Sequence, residues 1–241
     1  MPLRIKFGMV RRFALAWCMA CLGVVSVAQQ PDAAAIIRGI DAAVYSRADN
    51  VLAFTDTEHY AVYRGSDETH PDAEMTVTDN YRKGVGKSYD ILSQSGSSII
   101  QKIGLHPLLE NEKSINDPAR VSQSWFTSAN YNMKLQSRAI QSIHGRLCYT
   151  LEITPKREAP NMIIGRIWVD AKDYTLVKIE GVASKSPSPF AGTTHMMREY
   201  INIGGYSMAA HAHAESDSFL FGRTIVVIDY GNYHLQIKPI H

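Results

Sequence analysis

From Val51 to Tyr230 the chain is a succession of strand-type runs broken by short turns, which restricts it to a β-dominated fold. β-Branched and aromatic residues crowd Val51 to Arg64. In Glu74 to Arg82, Met75, Val77 and Asp79 alternate against Thr76, Thr78 and Asn80, a period of two. Lys87 to Ile100 reads as a third strand after a glycine turn. Further runs follow at Met133 to Ile143, Arg146 to Ile153, Met162 to Val169 and Tyr174 to Val182. The last three are Thr193 to Ile203, Tyr206 to Glu215 and Arg223 to Tyr230. Turns such as His144-Gly145 and Gly204-Gly205 are short, so successive strands are expected to pair antiparallel. A proline-bearing loop is expected from Ser184 to Gly192.

Two helical features interrupt this pattern. Pro31-Asp32 precedes Ile36, Ile37, Ile40 and Val44 at helical spacing, predicting a helix that ends near Asp49-Asn50. Between Gln101 and Asn132 the strand period is lost. Ile103, Leu105, Leu108 and Leu109 suggest one short helix, and Asp117-Pro118 begins a second, with polar Glu110 to Asn116 between them. The expected fold class is α+β. A strongly curved antiparallel sheet of about 9–11 strands, an unclosed β-barrel, is covered by the N-terminal helix and the short central helices. The central insertion is expected to act as a lid or a plug.

The N-terminus carries an export signal. Arg4, Lys6, Arg11 and Arg12 precede the apolar run Phe13 to Val27, and Ser26-Val27-Ala28 suits cleavage after Ala28. Residues 1–28 are read as a signal peptide and residues 29–241 as one domain, periplasmic or secreted. The full chain has 25 basic and 23 acidic side chains, but four of the basic ones lie in the leader, so the mature chain is slightly acidic. It shows no basic stripe with interleaved aromatics, which argues against nucleic-acid binding. Cys18 and Cys21 leave with the leader, and Cys148 alone cannot form an internal disulfide. The domain must therefore rely on its apolar core.

Gly165-Arg166-Ile167-Trp168-Val169-Asp170, followed by Tyr174-Thr175-Leu176-Val177-Lys178-Ile179-Glu180, resembles the hairpin of the periplasmic outer-membrane lipoprotein carriers, the LolA/LolB-like superfamily. The order of helix, three-strand meander, central helices and hairpins resembles that family across essentially all of residues 29–241. The resemblance implies a half-barrel whose sheet and helices enclose an apolar cavity for acyl chains. Relatives of the family include periplasmic stress sensors, so the fold alone does not select a function.

Candidate site residues come from the chain itself. Ala210, Ala212 and Ala214 share one face of a strand, and three alanines in a row underfill a core unless a helix packs on them. If space is left there, it is of the kind that holds a lipid chain. Trp125, Phe126 and Tyr131 on the insertion are candidates for the matching cavity or lid surface. On the opposite strand face His211, His213 and Glu215 form a row with about 7 Å between neighbours. They are candidates for metal ligands, with a solvated polar face as the ordinary alternative. No Gly-x-Ser-x-Gly, His-Glu-x-x-His or phosphate-cradling loop is present. The expected function is a non-catalytic carrier of a lipid or lipidated protein, with no cofactor. The alternative is an envelope-sensing module of the same fold that binds a protein partner. The third reading is a metal-dependent enzyme using the His211, His213 and Glu215 row.

Overall fold

Asp32 starts the first helix by accepting a hydrogen bond from the Ala35 amide at 2.6 Å, an N-cap that satisfies one of the free amides of the first turn. The helix, α1 (Ala33–Asn50), buries Ile36 and Ile40 completely, as their spacing of four requires. The computed structural model describes residues 32–185, 191–218 and 222–239. The expected leader and its cleavage after Ala28 lie outside these residues, as does most of the proline-bearing loop. Among the described residues no helix is long and apolar enough to cross a membrane.

Among the described residues ten strands follow: β1 (Val51–Arg64), β2 (Ala73–Arg82), β3 (Gly86–Gly96), β4 (Tyr131–Ile143), β5 (Arg146–Pro155), β6 (Ile163–Asp170), β7 (Leu176–Ala183), β8 (Ala191–Ile203), β9 (Tyr206–Ser218) and β10 (Gly222–Ile237). They form one curved antiparallel sheet in the order β3-β2-β1-β10-β9-β8-β7-β6-β5-β4. β4 to β10 is a meander, and β1 then adds to the far side of β10, leaving β3 and β4 as the two edges. His144 (φ 49°) and Gly145 (φ 77°) make the β4–β5 turn, the left-handed pair that matches strand twist in a two-residue hairpin.

The insertion differs from its expected form. Instead of two helices around a polar joint, it is one helical run. α2 (Ser98–Ile100) passes through a π-helical turn (Gln101–Leu105) into α3 (His106–Ile115). Ser97 caps this run by accepting from the Ile100 amide at 3.4 Å, so β3 stops at Gly96. Glu110 to Ile115 stay helical because Leu105 and Leu109, both buried, hold the run against the sheet on a narrow stripe. Asp117 begins a turn rather than a helix, its Oδ1 accepting from the Ala119 amide at 2.8 Å, and a 3₁₀ turn (Val121–Ser124) follows.

β10 is also longer than expected. Its second half, beyond an irregularity at Gly231, pairs with the start of β1, matching Phe54 with Leu235 and Val51 with Ile237. The inner core is thus divided. α1 covers Tyr149, Leu151, Ile167, Val169 and Ile179 on β5 to β7. The insertion covers Tyr60, Val62, Met75, Val77, Ala212 and Ile228 on β1, β2, β9 and β10.

Candidate functional site

The insertion does not seal fully against the sheet. Val62 and Arg64 at the end of β1 pair with Val226 and Thr224 at the start of β10, making the floor of a cleft. Its wall is the helical run, which contributes Ile99, Ile100, Ile103, Leu105 and Leu108. The cleft encloses about 280 Å³, just below the ~300–1,000 Å³ typical of small-molecule sites. Ile99 and Ile103 are 65% and 54% exposed and give its mouth an apolar rim. Arg64 stands at the rim, its Nη2 3.1 Å from Asp72 Oδ1.

The alanine face lies beside this cleft. Ala214 is the register partner of Val226, and Ala212 that of Ile228. On the other side Ala212 is opposed by Arg198 and Ala214 by Met196. Opposed residues share a face, so each alanine sits low between larger neighbours. Ala212 is buried in the cluster under the insertion, whereas Ala210 and Ala214 are half-buried.

Trp125, Phe126 and Tyr131 sit together at the other end, beneath α1. Trp125 meets Tyr45 edge-on at 5.7 Å between ring centres, and Phe126 stacks on Tyr131 at 5.2 Å. Asp41 of α1 ties this segment down, accepting from the Ser128 amide at 2.7 Å and its hydroxyl at 2.6 Å. Burial pushes the Tyr131 phenol up to about 12. These three aromatics are therefore not among the residues that line the cleft. The lining isoleucines carried a sequence signal, the irregular apolar stretch after Ile99, but their partners Val62 and Val226 are distant in the chain.

His211, His213 and Glu215 fall on the face opposite the alanines. His211 Nδ1 lies 2.7 Å from Asp229 Oδ1, and Arg223 Nε donates to Glu215 Oε1 at 2.5 Å. That hydrogen bond holds the Glu215 carboxyl below its ordinary range. A separate acidic group, Asp56, Glu58 and Asp79, is buried on the inner face of β1 and β2.

No protein-family model matches the chain, and no curated protein sequence matches it. Solved structures do. A LolA superfamily protein from Nitrosomonas europaea is 13% identical over 87% of this chain and 96% of its own, with a TM-score of 0.44. A domain from Vibrio parahaemolyticus, described as an outer membrane lipoprotein-sorting protein, is 14% identical over 83% of this chain and 93% of its own, with a TM-score of 0.45. MucB in complex with MucA is 10% identical over 83% of this chain and 94% of its own, with a TM-score of 0.25.

Proposed function

We propose that the protein is an exported, non-catalytic carrier that holds an acyl chain of a lipid or lipidated protein between the insertion and the β1–β10 floor. The observation that carries this reading is the cleft itself, with Val62 and Val226 in its floor, isoleucines and leucines along its wall and two exposed isoleucines at the mouth. Burial is the driving force, at about 0.8 kcal/mol per CH₂ removed from water. A chain entering past Ile99 and Ile103 covers them and displaces water from the half-buried Val226. In this reading Ala212 and Ala214 are the low ground into which a longer chain extends when the helical run lifts. Trp125, Phe126 and Tyr131 anchor the far end of the same segment under α1. No cofactor is required, because transfer needs only binding and release.

Titration with a fluorescent fatty-acid probe tests this. Ile103→Asp is expected to weaken probe binding about tenfold, equivalent to about 1.4 kcal/mol. Because Ile103 is exposed, the melting temperature should be nearly unchanged. Protein that extracts free of lipid and ignores the probe would end the carrier reading.

A second reading, an envelope module that binds a protein partner, draws on β3. This edge strand carries exposed Ile91 and Leu92, and an unpaired edge is a template for strand addition. Ile91→Asp altering partner capture while leaving probe binding intact would select it.

A further inference from the structure

Asp56 and Asp79 face each other across β1 and β2 as register partners. Directly opposed residues point to the same side of a sheet, here the inner one, where Asp56 is 2% exposed and Asp79 0%. Glu58, the next inward residue of β1, is buried with them, and carboxylate oxygens from all three lie within 4.8 Å of one another. The cation among them is Lys87 of β3, whose Nζ is 2.6 Å from Asp79 Oδ2 and 3.2 Å from Glu58 Oε1. Neither oxygen of Asp56 accepts a well-formed hydrogen bond; the Tyr233 hydroxyl is close enough to favour its charged form but donates to the Ala209 carbonyl.

The groups around this cluster do not supply the missing positive charge. On β1 the Tyr60 hydroxyl donates to Glu58. On β2 the neighbouring inward residue is Tyr81. On β3 the Tyr89 hydroxyl lies 3.4 Å from Lys87 Nζ. On β10 the Tyr233 hydroxyl donates to the Ala209 carbonyl at 2.8 Å, and Tyr230 adds only a phenol. α3 brings Glu112, a further negative group, whose cationic partner at 3.9 Å is Arg198 of β8. Three carboxylates and one ammonium therefore meet in a site with almost no water contact. Leaving the excess charge there is strongly unfavourable. A metal ion would have to displace the Lys87 ammonium from Asp79 and Glu58 and would need an entry path to carboxylates that are closed to solvent. A proton needs neither.

We propose that the Asp56–Asp79 pair carries one proton at neutral pH, a buried acid dyad that makes the stability of the β1–β2 region pH-sensitive. Burial, then Glu58 and Asp79, pushes Asp56 up to about 7. Burial also raises Asp79, to about 6, against the pull of Lys87. The two titrate as a pair, so the observed steps belong to both. Because the folded value lies above the ordinary 3.8, the folded chain keeps a proton that the unfolded chain has released. The stabilisation is complete below 3.8 and is lost as pH rises through about 7.

Infrared spectra of the purified protein at neutral pH test the dyad directly. A protonated-carboxyl band that disappears at high pH and is absent in Asp56→Asn is expected. Urea melts from acid to alkaline pH give the second readout. The wild type should lose stability as pH rises towards 8, and Asp56→Asn should be flatter and more stable at the alkaline end. The proposal is overturned by a wild-type spectrum without the band. It is equally overturned if calcium or magnesium stabilises the wild type but not Asp56→Asn, since a cation then fills the site.

Discussion

At the scale of single residues, two positions show how little freedom the sheet has. Gly165 and Gly181 are opposed in register across β6 and β7. A Cβ on Gly165 would meet the Glu180 carbonyl oxygen and the Gly181 Cα, and a Cβ on Gly181 would meet the Ile164 carbonyl and the Gly165 Cα. The two backbones are too close for any side chain, which is the usual reason for glycine inside a strand. Gly165→Ala is expected to cost about 1–3 kcal/mol in a urea melt, the range for overpacking. An unchanged midpoint would mean that the strands separate freely. Cys148 is governed by the same enclosure. It is fully buried, its thiol donates to the Arg146 carbonyl at 3.4 Å, and burial, then Asp170, pushes it up to about 11. Little thiolate exists at neutral pH, so a thiol-disulfide reagent should react only as the protein unfolds. Rapid labelling of the native protein would place an opening motion at the β4–β5 end.

At the scale of elements, α1 and the insertion divide the inner surface of the sheet between them. Ile40→Ala in α1 removes a fully buried side chain from the larger cluster, and a loss of about 2–5 kcal/mol is expected by thermal or urea unfolding. A loss below that range would show that neighbouring side chains collapse into the space. α1 was legible because its signals are local: a cap at Asp32 and isoleucines four apart. The His144-Gly145 hairpin was legible for the same reason, as was the alternation that sends the β9 alanines and histidines to opposite faces. The insertion was not, because Gly104 and Pro107 interrupt its apolar run and only contact with the sheet keeps it helical. The acidic cluster was half visible. Asp79 alternates with Met75 and Val77 and so had to point inward, but its partners Asp56 and Lys87 arrive from β1 and β3. Pairing across strands leaves no spacing rule in a sequence.

At the scale of the whole molecule, one seam joins the two parts of the sheet. In the strand pairing of the described residues, β3, β2 and β1 join the seven-strand meander only through β10, and that seam matches Val51 with Ile237. Such distant contacts carry a large loop-closure cost and slow folding. The last stretch of β10 also supplies Tyr233 and Leu235 to the cluster of Phe54, Val51 and Met208. A chain ending at Tyr230 would keep the inner half of the seam, from Glu58–Tyr230 to Arg64–Thr224, and lose the rest. Burying one large apolar side chain contributes about 1.5–3 kcal/mol, so losing both residues should cost about 3 kcal/mol or more. The loss should also be uneven. Followed amide by amide in a urea melt, Trp168 on β6 reports the meander, whereas Tyr60, Tyr81 and Tyr89 report β1 to β3. In the truncated chain the three tyrosine amides are expected to melt before that of Trp168, while in the full chain the transitions should coincide. Coincident transitions at an unchanged midpoint in the truncated chain would show that the inner half of the seam is sufficient.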